Sequence, residues 1–212
     1  MSIRILGSIA MISIAGSAMG SVINANDMMN RVSQFQSPSG GWLIQIDISG
    51  LSTIDAFGDP DNNFFSLIHL PKEPDEPSIP NANTLLGIGW DLSLTTIGAS
   101  WASDTAINFG GEFDIAFSTD SFPVTNQFYS SGGIIDLVDA GISPVSFGED
   151  EYAMRVEFFE TFDDTQNTAE AFFEEGSVLT LRTLHPATFA IPSPGPGSAL
   201  CLAGLVVFKR RR

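Results

Sequence analysis

Gly58-Asp59-Pro60-Asp61-Asn62-Asn63 places four oxygen-bearing side chains, those of Asp59, Asp61, Asn62 and Asn63, in a single turn. A calcium ion takes roughly six to eight hard oxygens from carboxylates and carbonyls on a loop that can bend around it. The turn has the right atoms for that chemistry, and Asp163-Asp164 and Gly148-Glu149-Asp150-Glu151 add further carboxylates. The EF-hand spacing is missing, so calcium is a candidate cofactor and a solvated acidic turn is the plain alternative.

Other reactive arrangements are weaker. Hydrolysis of a glycosidic bond needs two carboxyl groups facing one sugar linkage. The best pair is Glu157 and Glu160 in EYAMRVEFFETFDD. Residues three apart on a strand face opposite sides. Glu157 then shares a face with Arg155 and Phe159, while Glu160 follows Phe158 inward or lies near the strand end. Arg155 beside Glu157 reads as part of a cross-strand ion-pair network. There is no G-x-S-x-G nucleophile motif, and the single cysteine, Cys201, lies in the C-terminal apolar run. His69 and His185 stand apart, with no H-E-x-x-H or His-Cys cluster, and read as surface or strand residues. Trp42, Trp90 and Trp101 could stack on sugar rings. Each falls in register with apolar neighbours, which favours packing; Trp101, among Ser100, Ala102 and Ser103, has the least apolar setting.

The elements that must carry these residues show a period of two, with little of period 3.6. In LLGIGWDLSLTT, Leu86, Ile88, Trp90, Leu92 and Leu94 point one way and Gly87, Gly89, Asp91, Ser93 and Thr95 the other. That is a strand with one apolar face and one small, wet face. Similar alternation occurs at Trp42, Ile44, Ile46 and Ile48, across residues 101–109, at Phe113, Ile115 and Phe117, at Met154, Val156 and Phe158, and at Leu179 and Leu181. Residues 64–70 form a further apolar run, and residues 135–141 suit a helical turn or a loop. Turn clusters such as Gly110-Gly111 and Ser130-Ser131-Gly132-Gly133 lie between them. Short strands joined by turns predict an all-β, antiparallel β-sandwich, jelly-roll-like, over residues 21–189.

Charge narrows the partners. The chain has 9 Lys and Arg against 25 Asp and Glu. Five of the nine, Arg4, Lys209, Arg210, Arg211 and Arg212, lie at the two ends of the sequence, and every acidic residue falls between Asp27 and Glu175. The body keeps Arg31, Lys72, Arg155 and Arg182 against 25 acids, a formal charge of −21. Nucleic-acid binding rests on cations neutralising phosphates, so DNA and RNA are excluded as partners. Cations, neutral polymers and basic surfaces remain. A body without cysteine has neither a disulfide framework nor a thiolate metal site. Its 17 Phe and 3 Trp supply a packed core.

The ends read as addresses. MSIRILGSIAMISIAGSAMG has a positive charge at Arg4, an apolar run, and small residues at Ala18 and Gly20 that suit signal peptidase, with a second small-residue site ending at Ala25. Residues 1–20 are therefore expected to be a signal peptide. The last 22 residues, IPSPGPGSALCLAGLVVFKRRR, have three parts. Proline prevents a regular helix or central strand in the first. Residues 198–208 would make a helix about 16 Å long, short for a bilayer core of ~30 Å. The terminal cations would hold the end at the cytoplasmic face. This layout resembles the PEP-CTERM sorting signal of bacteria, with Pro192-Ser193-Pro194 at the Pro-Glu-Pro motif, the Leu/Ala/Gly-rich run at the helix, and Lys209, Arg210, Arg211 and Arg212 at the basic cluster. Ser193 stands where the family has Glu. The resemblance implies processing by an exosortase, a membrane-embedded cysteine peptidase, and delivery to the cell surface or to extracellular polymer. An ordinary C-terminal anchor is the simpler rival.

Together these readings predict a non-enzymatic exported protein, transiently tethered by residues 190–212 and placed in the envelope or outside the cell. Its expected role is structural, at the surface or in the extracellular matrix. Its partners would be signal peptidase, an exosortase-type enzyme and extracellular polysaccharide. A carbohydrate-binding β-sandwich is the alternative, and a surface hydrolase stands third.

Overall fold

A computed structural model describes residues 30–68, 82–147 and 153–190. The described chain is all-β apart from one short 3₁₀ turn at Ala102–Asp104. Fourteen strands follow in order: β1 (Val32–Gln36), β2 (Trp42–Asp47), β3 (Ser52–Thr53), β4 (Phe64–Ile68), β5 (Asn83–Thr96), β6 (Thr105–Phe109), β7 (Phe113–Ala116), β8 (Gln127–Ser130), β9 (Ile135–Asp136), β10 (Val145–Phe147), β11 (Ala153–Glu160), β12 (Ala171–Phe173), β13 (Val178–Thr183) and β14 (Thr188–Ala190).

Every pairing is antiparallel. One sheet runs β1-β2-β13-β5-β12-β3, with β8, β9 and β10 also paired to β5. The other runs β14-β4-β11-β6-β7. Alternating apolar residues on the two sheets meet in one core. The first contributes Ile44, Ile46, Ile88, Leu92, Leu179 and Leu181; the second contributes Phe65, Leu67, Ile107, Phe109, Val156 and Phe158. Phe158 of β11 meets Phe173 of β12 edge-on at 5.3 Å, and Phe173 meets Phe117 at 5.5 Å, which ties the sheets across the middle. Edge-to-face pairs of this kind add to the burial of the rings themselves. Two antiparallel sheets over a shared core are the arrangement of a β-sandwich.

The long strand β5 departs from strict alternation. Leu85 opposes Thr183 and Gly87 opposes Arg182, so Leu86 has no opposite residue. This bulge flips the phase, as one extra residue does in a period-two ladder. Leu85 is the core residue and Leu86 is half-buried, which corrects the expectation that Leu86 points inward with Ile88. Trp90 keeps its inward phase but is only half-buried, packing edge-on against Phe117 at 5.7 Å. The face expected to be wet is partly closed. A Cβ on Gly89 would lie 2.6 Å from the Gly133 carbonyl oxygen, and one on Gly87 2.8 Å from Ile134 Cγ2. The chain between β8 and β9 crosses directly over these two glycines. The remaining expectation for residues 135–141 resolves into the short strand β9 followed by turns.

The central strand of the second sheet, β11, is buried on both faces. Met154, Val156 and Phe158 enter the core. Glu157 and Phe159 lie on the outer face, which the segment 54–63 covers, with the Phe57 ring 5.6 Å from that of Phe159. That segment is the turn singled out above.

Candidate functional site

Glu157 organises the covering loop. It is wholly buried, and its Oε1 accepts hydrogen bonds from the Gly58 N–H (2.8 Å) and from Asn62 Nδ2 (2.8 Å). Its Oε2 accepts from Arg155 Nε at 2.7 Å, and the Arg155 guanidinium lies 3.5 Å over the Phe64 ring. The ion pair is thus formed within β11, two residues apart, and not across strands as the sequence suggested. A buried carboxylate with this many donors is satisfied as a charge. Gly58 has a φ of 89°, a left-handed conformation that suits glycine, and this turns its N–H toward Glu157.

The same loop gathers carboxylates on its other side. One oxygen each from Asp55, Asp59 and Asp61 lie within 4.8 Å of one another. Asp55 is 4% exposed, whereas Asp61 is open to solvent. Asp55 Oδ1 accepts the Asn167 N–H at 2.7 Å, which brings in the connection between β11 and β12. Asp55 Oδ2 is buried and meets no hydrogen-bond donor, and the same holds for Asp163 Oδ1 on that connection. Burial pushes the Asp55 carboxyl above its ordinary pKa; the Asn167 N–H opposes the shift, and the charges of Asp59, Asp163 and Asp61 add to it.

Asn62 and Asn63 have a different place from Asp59 and Asp61. Asn62 Oδ1 accepts the Asp55 N–H (2.9 Å), and its Nδ2 also donates to the Ala56 carbonyl (2.8 Å). Asn63 Nδ2 donates to the Ser52 carbonyl (2.8 Å) and to Ser52 Oγ (3.0 Å). Both amides are buried and frame the loop from inside. Asp55, which the sequence reading passed over, takes the position beside Asp59 and Asp61. Its signal was an acid set between the apolar Ile54 and Ala56, just before the turn.

A second carboxyl group lies deeper. Glu160 continues the inward face of β11, is 1% exposed, and accepts a hydrogen bond from Thr53 Oγ1 on its Oε1. Its Oε2 meets no donor. Burial raises its pKa to about 8; the Thr53 hydroxyl opposes the shift, while Glu170, Asp104 and Asp164 reinforce it. Glu170, also buried, is raised by burial as well, against the N–H groups of Asp164 and Thr165. Glu157 and Glu160 lie on opposite faces of one strand, so they do not flank a common substrate position.

Among the aromatic candidates, Trp42 and Trp90 are partly buried, while Trp101 is 46% exposed. The Ala102 N–H donates to the Phe122 carbonyl at 3.2 Å, which sets the exposed Phe122 backbone next to the Trp101 turn. His185 lies in the turn after β13, where its N–H donates to Asn83 Oδ1 at 2.9 Å. Pro192, Ser193, Pro194, Lys209, Arg210, Arg211, Arg212, His69 and residues 148–151 fall outside the described residues, as does the expected signal peptide. Among the described residues no helix is long and apolar enough to cross a membrane. Compared with protein-family models, curated proteins and solved structures, the chain matches none of them.

Proposed function

We propose that the protein is exported, sorted through a PEP-CTERM-like C-terminal signal, and serves as a structural component of the cell surface or extracellular matrix. The observation that carries this reading is the succession Pro192-Ser193-Pro194, a short apolar run, and Lys209, Arg210, Arg211 and Arg212 at the end of an otherwise acidic chain. The body suits such a role: a cysteine-free β-sandwich needs no oxidative step to fold outside the cell. Its path crosses repeatedly between sheets, β3 to β4, β4 to β5, β5 to β6, β7 to β8, β10 to β11, β11 to β12 and β13 to β14, which supports a jelly-roll-like wiring. Signal peptidase and an exosortase-type enzyme are the processing partners. Mass spectrometry of the surface and secreted fractions tests the reading. The mature protein is expected to begin after Gly20 or Ala25 and to lack Cys201 and everything beyond it. A peptide containing Val206-Val207-Phe208 in the bulk of the mature protein would overturn it.

A second reading, carbohydrate binding on the same fold, is favoured by the exposure of Trp101 beside Phe122. Quenching or a blue shift of Trp fluorescence on titration with extracellular polysaccharide, lost in Trp101→Ala, would support it; no spectral change would remove it.

A further inference from the structure

We propose that Asp55, Asp59 and Asp61 form a binding site for a hard divalent cation, calcium by preference, that fastens the loop 54–63 to the connection between β11 and β12. The inference is independent of how the chain is sorted, and its failure leaves the sorting reading untouched.

Three observations carry it. First, the three carboxylate oxygens lie within 4.8 Å of one another. One ion with bonds of about 2.3–2.6 Å to oxygen spans that distance. Second, Asp55 is a buried acid with an oxygen that no donor reaches. A buried polar atom without a partner is uncommon and calls for a ligand, a proton or a water. Among the described residues Arg155 pairs with Glu157 and Arg182 with Asp136, so neither arginine neutralises the group. Third, the loop is held from beneath before any ligand arrives. Glu157 receives Gly58 and Asn62, and Asn62 receives the Asp55 N–H. A cation would then meet oxygens already in place and would not have to order the loop.

The second unpartnered oxygen, Asp163 Oδ1, extends the argument. Asp163 sits on the connection whose Asn167 N–H holds Asp55 Oδ1, and its charge acts on Asp55. Asp163 stands outside the three-oxygen group and adds to its negative field, and water would complete the coordination shell. Calcium is preferred because it accepts irregular oxygen sets, whereas magnesium demands near-octahedral geometry and gives up water reluctantly.

The test uses the full chain after removal of divalent ions with a chelator. Calcium chloride alone is titrated by calorimetry, and the melting temperature is followed with and without millimolar calcium. One site per chain is expected. At a concentration about 100 times the dissociation constant, a rise of roughly 5–10 °C is expected. Asp55→Asn keeps the acceptor for Asn167 and is expected to weaken calcium binding at least tenfold. The double variant Asp59→Asn with Asp61→Asn alters the outer positions, preserves the core, and is expected to remove most of the rise even if Asp55→Asn folds poorly. Equal stabilisation by magnesium at matched ionic strength would mean general screening and would overturn the site. So would the absence of binding heat, or a calcium effect that survives the double variant.

Discussion

Glu160 gives the sharpest physical test of the fold, through its pH dependence. In the folded protein its pKa is raised to about 8 by burial, from an ordinary 4.5. The unfolded chain releases this proton near the ordinary value, whereas the folded protein holds it through neutrality. Stability from this group is therefore fully present below about pH 4.5 and is lost as pH rises toward 8, beyond which the loss is complete. Each unit of difference is worth about 1.4 kcal/mol, so the full loss is about 3–5 kcal/mol. Glu160→Gln cannot ionise. Its amide oxygen can still accept from Thr53, and its NH₂ occupies the place of the unpartnered Oε2. The groups that face Glu160, namely Glu170, Asp104 and Asp164, are acidic and unchanged in the variant. Melting temperatures of both proteins between pH 5 and 8.5, in the presence of chelator, give the measurement. The two are expected to melt alike near pH 5. By pH 8 the variant is expected to be more stable, by roughly 10 °C for a domain of this size. Parallel curves across the whole range would mean that Glu160 ionises normally in the folded protein. The buried, proton-bearing carboxyl would then be wrong.

Glu157→Ala removes the acceptor of Gly58, Asn62 and Arg155 together and leaves the guanidinium without its buried partner. A loss of about 3–5 kcal/mol in denaturant unfolding is expected, with weaker calcium binding because the loop beneath Asp55 loosens; full stability in this variant would refute the role given to Glu157. Gly89→Ala drives a Cβ to 2.6 Å from the Gly133 carbonyl oxygen. It should cost about 1–3 kcal/mol by overpacking, and a change within about 0.5 kcal/mol, the range of an ordinary surface substitution, would mean that the crossing chain yields freely.

The period-two pattern made much of the sandwich legible. Ile44 and Ile46, Val156 and Phe158, and Leu179 and Leu181 all point into the core as the alternation requires. The same rule sent Glu160 inward behind Phe158 and Glu157 outward beside Arg155, and both stand there. What the pattern could not carry is any local break in it. Leu86 looks like an inward residue until an unpaired position opposite β13 flips the phase; the neighbouring Gly87 is a residue type that marks bulges, but it does not say which residue goes unpaired. The site shows the same limit on a larger scale. Asp59 and Asp61 were visible as neighbours in one turn. Asp55 joins them because the loop folds back on itself and because Asn167, 112 positions away, seals its other oxygen. Burial of an acid is a tertiary fact. Here it depends on two connections meeting at one end of the sandwich.

That meeting explains why so acidic a body buries carboxyl groups at all. Asp55 and Glu160 are adjacent, since the Glu160 N–H donates to the Asp55 carbonyl at 3.0 Å. Each has one oxygen satisfied and one without a donor. Their surroundings resolve the same deficit differently. Around Glu160 the donor is the Thr53 hydroxyl and the charges that face it, Glu170, Asp104 and Asp164, are acidic, so a proton is the simplest way to remove its charge. Around Asp55 two further carboxylate oxygens lie within bonding range of a shared ion, and solvent reaches the outer members of the group. A proton there would neutralise one charge and leave the other two repelling each other, whereas a divalent cation neutralises the group in one step. Calcium and protons therefore compete for Asp55 but not for Glu160. Lowering the pH toward 5 is expected to weaken the calcium-dependent rise in melting temperature while leaving the Glu160 contribution at its maximum. The two effects separate on one pair of axes, pH and calcium, and a calcium response that grew as the pH fell would break the link between Asp55 and the ion.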